Sequence, residues 1–215
     1  MKLLISSVLI VLLISSCTIT QEFYFNKDFS GSAKLSVDMS MFIGVMQSMD
    51  TSSKSGSLSD SIKYMFEEGK PKLDSVGATN VKYSWSDSAK TMQLSFNFKD
   101  IDILNKSLNI TKIPNSEVEN DSNTTVNHKY FTKIRRKTLV FEEKKTTKKR
   151  KTSKEMSSMK EYYKYNIIFV FDRKIKKVEN PNISHIKNSK RVELKGNVFD
   201  MMKKDYNSKI IFKLK

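Results

Sequence analysis

Residues 81–98 read VKYSWSDSAKTMQLSFNF, and their alternation decides the fold class. Val81, Tyr83 and Trp85 alternate with Lys82 and Ser84. After the polar turn SDSAK (86–90), Met92, Leu94, Phe96 and Phe98 alternate with Gln93, Ser95 and Asn97. A period of two gives each arm one apolar and one polar face. The stretch therefore predicts an antiparallel hairpin with a half-buried sheet surface.

Upstream, EFYFNKDFSGSAKLSVDMS (22–40) predicts another pair of strands joined near Asp28–Gly31, with Leu35, Val37 and Met39 alternating with Ser36 and Asp38. The period then changes. Met39, Phe42, Ile43, Met46 and Met49 recur at helical spacing. The serine-rich connector DTSSKSGSLSD (50–60) leads to a second helix carrying Leu58, Ile62, Met65 and Phe66, which Gly69 and Pro71 are expected to end. Downstream, DIDILNKSLN (100–109) places Ile101, Leu104 and Leu108 on one helical face, with Asp100 as its cap.

The run IPNSEVENDSNTTVN (113–127) has few hydrophobes and reads as a loop. HKYFTKI (128–134) and TLVFEE (138–143) are strand-like pieces. KKTTKKRKTSK (144–154) follows, with cations at Lys144, Lys145, Lys148, Lys149, Arg150, Lys151 and Lys154 and no apolar residue. Such a run repels itself and has nothing to bury. YYKYNIIFVFDRKIKKVEN (162–180) predicts one long strand, ISHIKNSKRVEL (183–194) a hairpin around Asn188 and Ser189, Val198–Met202 a short helix, and KIIFKLK (209–215) a last strand. Hairpins and clustered helices, without regular strand–helix alternation, argue for an α+β fold with a mainly antiparallel sheet and short helices packed on one face. Residues 17–215 form one domain on this reading, with a mobile polar and basic insertion at about 111–160.

The leader sets the location. Lys2 is followed by an apolar run from Leu3 to Ile14 that is broken only by Ser6 and Ser7. That is a secretory signal pattern. A permanent span needs about 20 apolar residues, and the run turns polar by Thr20–Glu22. The sole cysteine of the chain, Cys17, stands directly after Ile14-Ser15-Ser16. Small residues before a single cysteine resemble the lipobox of bacterial lipoproteins, which implies removal of residues 1–16, a diacylglycerol on the Cys17 thiol and no intrachain disulfide. The competing readings are an ordinary residue near a conventional cleavage site and a free thiol in an uncleaved anchor helix. An otherwise unexplained single cysteine in an exported chain favours the lipid.

Three stretches carry a wider likeness: FNKDFSGSAKLSVDMS (25–40), VKYSWSDSAKTMQLSFNFKDIDILNKSLN (81–109) and FDRKIKKVEN (171–180). Their order resembles that of uncharacterised lipoproteins of Bacteroidetes. The resemblance implies a membrane-tethered envelope protein of unknown activity and names no catalytic residue. Thr18 rather than aspartate follows the lipid cysteine, and no acidic cluster comes next. Outer-membrane attachment facing the periplasm is therefore expected first, and surface display second.

With 39 Lys and Arg against 23 Asp and Glu, the chain has a formal net charge of +16. Such a surface suits an anionic lipid, an acidic glycan or an envelope protein. Nucleic acid is not expected for an exported chain with no recognition helix or basic aromatic platform. His128 and His185 are isolated, so no metal site is expected. Asp100 with Asp102, and Glu142 with Glu143, are the paired carboxylates. Helix capping and dipole placement account for the first pair. No phosphate loop, nucleophile elbow or HExxH is present. No catalytic residue and no cofactor are expected. Tyr83, Trp85, Phe96 and Phe98 are assigned to the sheet core rather than to a lipid or peptide cleft, and Met39, Met46 and Met49 to helix packing. The triplets Asp60-Ser61-Ile62, Asp74-Ser75-Val76 and Asp87-Ser88-Ala89 match a short acceptor pattern for O-glycosylation in Bacteroidetes. The function read from all this is a lipid-anchored, non-enzymatic envelope binding module. A structural or assembly subunit of an envelope complex is the alternative, and an enzyme acting on envelope polymer comes third.

Overall fold

The computed structural model describes residues 17–40, 43, 68–111, 128–143, 163–181, 183, 188–201 and 206–215. It has an α+β fold built from two sheets. Strands β1 (Cys17–Phe25) and β2 (Gly31–Asp38) form the first hairpin, and β3 (Thr79–Ser86) and β4 (Thr91–Phe98) the second. Helix α1 (Ile101–Ile110) follows, then β5 (Phe131–Arg135), β6 (Thr138–Phe141), β7 (Tyr163–Phe171), β8 (Ile175–Glu179), β9 (Arg191–Asn197), α2 (Val198–Met201) and β10 (Ile210–Leu214). The larger sheet has the order β3-β4-β2-β1-β7-β9, and the smaller β5-β6-β10-β8.

Most pairings are antiparallel, but β1 and β7 run parallel from Cys17 opposite Tyr163 to Phe25 opposite Phe171. This pair joins the two halves of the chain at the centre of the larger sheet. Phe23, Phe25, Phe169 and Phe171 point from it towards Phe131 and Phe141 of β5 and β6 and Phe212 of β10. Phe169 has ring centroids of Phe212 at 4.8 Å, Phe141 at 5.2 Å and Phe23 at 5.9 Å. Edge-to-face and tilted arrangements dominate, as the ring quadrupoles favour. The two sheets thus share one aromatic core.

Asp100 caps α1 by accepting from the Ile103 amide at 2.9 Å. The helix then buries Ile101, Ile103, Leu104 and Leu108 at the side of the core. Two of its asparagines bond neighbouring backbone. Asn105 donates to the Phe131 carbonyl and accepts from the Phe131 amide, both at 2.8 Å, while Asn109 bonds the His128 backbone in the same two-way manner. Edge strand β5 therefore finds a side chain where another strand would otherwise satisfy its backbone.

Two local expectations are corrected. Helical structure continues through Gly69 and Pro71 to residue 75. Gly77 supplies the stop, with φ of 93°. The Ala78 amide donates to the Leu73 carbonyl and the Gly77 amide to the Asp74 carbonyl, a Schellman closure beneath fully buried Leu73. The expected long strand over 162–180 is two strands in different sheets. Asp172-Arg173-Lys174 carries the chain across the sandwich, so that Phe171 and Ile175 enter the core from opposite sheets. The strand from Arg191 pairs with β7, and Asn188, with φ of 68°, precedes it; the first arm of the hairpin expected over 183–194 lies mostly outside the described residues. Most of the two Met-bearing and Leu58-bearing helices, the loop 113–127 and residues 184–187 lie outside the described residues.

Candidate functional site: the outer face of the larger sheet

The register that sends phenylalanines inward sends a polar set outward. Across the strands, Asn97, Ser32, Tyr24, Val170 and Arg191 form one row. Lys82, Ser95, Lys34, Glu22, Ile168 and Glu193 form the next, and Ser84, Gln93, Ser36, Thr20, Asn166 and Lys195 the third. A broad open depression of about 740 Å³ lies over the first two rows. A smaller one of about 340 Å³ adjoins it at Asn26, Ser30 and Gly31, sharing Tyr24, Ser32 and Asn97.

Tyr24 is the exposed aromatic of this face, with 38% of its surface accessible. Its hydroxyl donates to Asp172 Oδ1 at 2.5 Å. That hydrogen bond to a carboxylate, with lesser contributions from burial and charge, raises the pKa of the phenol. It also holds the ring at the rim of the depression. Glu22 lies 3.4 Å from Arg191 Nη1. Both groups are well solvated, so this pair contributes little to stability, but it places one anion and one cation beside the ring. Lys34 and Lys82 add positive charge, and Ser32, Ser95, Asn80 and Asn97 add neutral donors and acceptors. Glu22 is the one carboxylate among the residues lining the larger depression. The arrangement suits hydrogen bonding to a hydroxyl-rich or weakly anionic ligand against a ring.

The residues singled out from sequence are dispersed. Cys17 opens β1, half-buried, with its thiol donating to the Asp38 carbonyl at 3.2 Å. Burial first, and the Asp38 charge second, push the thiol pKa up. The basic run with Lys144, Lys145, Lys148, Lys149, Arg150, Lys151 and Lys154 lies outside the described residues, as does His185. His128 Nε2 is 3.0 Å from the Glu142 carbonyl and its ring packs edge-on against Tyr130. Asp102 sits in the first turn of α1. Glu142 approaches Lys209 at 4.0 Å, and the Glu143 carbonyl accepts from Ser208. Phe96 and Phe98 are buried, whereas Tyr83 and Trp85 are half-buried on the inner face, Trp85 donating to Asp87 at 2.8 Å. Among the described residues no three His, Cys, Asp or Glu side chains converge on a metal-sized site. Nor does any helix among them have the length and apolarity to cross a membrane.

Sequence reasoning missed Tyr24, Glu22 and Arg191 as neighbours. The signal for Tyr24 was present in EFYF (22–25), where an aromatic occupies the polar phase between two core phenylalanines.

No family model and no curated protein matches this chain. Among solved structures, the folded domain of the LppM protein of Mycobacterium tuberculosis, determined by NMR, is similar at 11% identity and a TM-score of 0.44. The alignment covers 93% of this chain and 90% of that one.

Proposed function

We propose that this protein is an envelope lipoprotein of the Bacteroidetes type, anchored by lipid on Cys17, which acts as a non-enzymatic binding module. Its ligand face is the outer surface of the larger sheet, and its ligand is a glycan. One observation carries the ligand assignment: Tyr24, fixed by Asp172, stands in a depression lined mainly by hydroxyl, amide and charged side chains, with Val170 the aliphatic residue beside it in the same row. A tyrosine ring offers an apolar face to a sugar while keeping its polar tip bonded. The anchor reading rests on the leader and on Ser15-Ser16-Cys17 at the point where β1 begins. Attachment to the outer membrane facing the periplasm fits the residues after Cys17, with surface display as the second location.

Two measurements test the reading. The N-terminal peptide of protein extracted from envelopes should begin at a lipid-modified Cys17, and Cys17→Ala should give an unlipidated chain that keeps residues 1–16; an unmodified start elsewhere rejects the anchor. On a glycan array, Tyr24→Ala should weaken the strongest binding by tenfold or more, on the order of the 1–3 kcal/mol that a stacked ring contributes. Unchanged binding rejects the face. An assembly role is the second reading, favoured by β9, which pairs among the described residues with β7 alone and so leaves an edge for a partner strand. Crosslinked envelopes containing only monomer reject it.

A further inference from the structure

At the end of the sandwich where β1 and β7 finish, two connections meet. The β5–β6 turn carries Arg135, Arg136 and Lys137, and the β7–β8 link carries Arg173 and Lys174. They are tied together: Arg173 Nη1 donates to the Arg136 carbonyl at 2.9 Å, and the Leu214 amide donates to the Lys137 carbonyl at 2.8 Å. Four of the five cations are exposed and Arg173 is half-buried. Among the described residues, none of the five has an ion-pair partner. Lys177 and Lys213, on the adjoining outer face of the smaller sheet, share Glu179 at 3.1 and 2.8 Å. Asp172, the carboxylate next to the cluster, accepts from the Tyr24 hydroxyl and, among the described residues, makes no ion pair with the five cations. The five cations at this end thus outnumber Asp172, whose charge the neutral Tyr24 hydroxyl leaves in place, just as Lys177 and Lys213 outnumber Glu179 beside them.

Beside the cations stands Ile134, an aliphatic side chain 58% exposed in an otherwise solvated stretch from Thr132 to Lys137. A cationic turn with a protruding aliphatic residue is the combination by which peripheral proteins hold an anionic bilayer: ammonium and guanidinium groups at the phosphates, and the alkyl group at the acyl boundary. We propose that this end of the molecule docks on an anionic phospholipid surface through Arg135, Arg136, Lys137, Arg173 and Lys174, with Ile134 entering the interface. Charge complementarity selects that partner over an acidic peptide, which would leave Ile134 in water. The contact is separate from the Cys17 anchor, because β1 places the two ends about 27 Å apart at 3.3 Å per residue. It does not rest on the glycan reading, since the depression faces outward from the larger sheet.

The test uses residues 17–215 carrying Cys17→Ala, so that neither an acyl chain nor the apolar leader contributes. Co-sedimentation is measured with vesicles of phosphatidylcholine and with vesicles that also contain phosphatidylglycerol. The expected result is binding preferential for the anionic vesicles, weakening as salt screens it. The triple variant Arg136→Glu, Lys137→Glu, Lys174→Glu should reduce that preference by at least about fivefold for each surface cation lost. Ile134→Ser should lower the binding that remains at high salt. The side chains altered in addition to Cys17 are exposed, so melting temperatures equal to that of the Cys17→Ala protein verify folding. Equal binding to both vesicle types overturns the proposal. So does an anionic preference that survives the triple variant, which would assign it to the 144–154 run. Capture by a soluble acidic polysaccharide with no vesicle preference likewise overturns it.

Discussion

Asn105 is buried at 7% exposure and satisfies both backbone groups of Phe131. Asn105→Ala leaves a buried N–H and a buried C=O without partners. Each such loss costs about 1–3 kcal/mol, so the unfolding free energy from a urea titration should fall by roughly 2–4 kcal/mol; a change below about 0.5 kcal/mol would show that water replaces the side chain. Tyr165 and Tyr206 make a second coupled feature, with hydroxyls 2.5 Å apart. Burial first, and the Tyr206 hydrogen bond second, hold the Tyr165 pKa far above the ordinary phenol value; burial also raises that of Tyr206. A folded pKa above the unfolded one contributes stability that is present below about pH 10 and lost as pH rises beyond it. Urea midpoints measured from about pH 9 to pH 11 should therefore drop steeply above pH 10, and Tyr165→Phe should flatten that drop. An equally steep loss in the variant would place the alkaline sensitivity elsewhere.

Among the elements, the β1–β2 hairpin depends on one glycine. A Cβ on Gly31 would lie 1.8 Å from the Tyr24 carbonyl oxygen, a backbone atom that moves only if the turn moves. Gly31→Ala should cost about 1–3 kcal/mol and shift the amide resonances of residues 24–32 in NMR spectra; a spectrum unchanged there would mean that the hairpin relaxes without losing register. Alternation made both hairpins legible in the sequence, because each arm keeps one face on the core. The division of 162–180 was not legible. Its nine-residue apolar strand and the IKKVE strand share β-rich composition, and only the position of the second sheet decides that Asp172–Lys174 must cross between them. Similarly, Gly69 and Pro71 read as a helix end, but burial of Leu73 carries the helix on to the stop that the φ of Gly77 makes.

For the whole molecule, stability resides in the aromatic layer between the sheets. Phe169 is fully buried and contacts rings from both sheets. Phe169→Ala should cost about 3–5 kcal/mol, a large share of the 5–15 kcal/mol of typical domains. Because the same ring touches β1, β6 and β10, near-ultraviolet circular dichroism and amide exchange should report loosening of both sheets together. Loosening of the smaller sheet alone would show that the sheets unfold as separate units.

The sequence by itself determined the α+β class, the two N-terminal hairpins, the Asp100 cap of α1 and the inward phase of the phenylalanines. These follow from local periodicity and capping chemistry, which short stretches encode. Only the tertiary structure decided the parallel β1–β7 pairing, the split into two sheets, and the assembly of Glu22, Tyr24 and Arg191 on one outer face and of Arg136 with Arg173 at one end. Apart from the near neighbours Glu22 and Tyr24, these pair residues more than 30 positions apart, and Glu22 and Arg191 are separated by 169. No local pattern encodes them, because what brings such residues together is the burial of aromatic surface shared by distant strands.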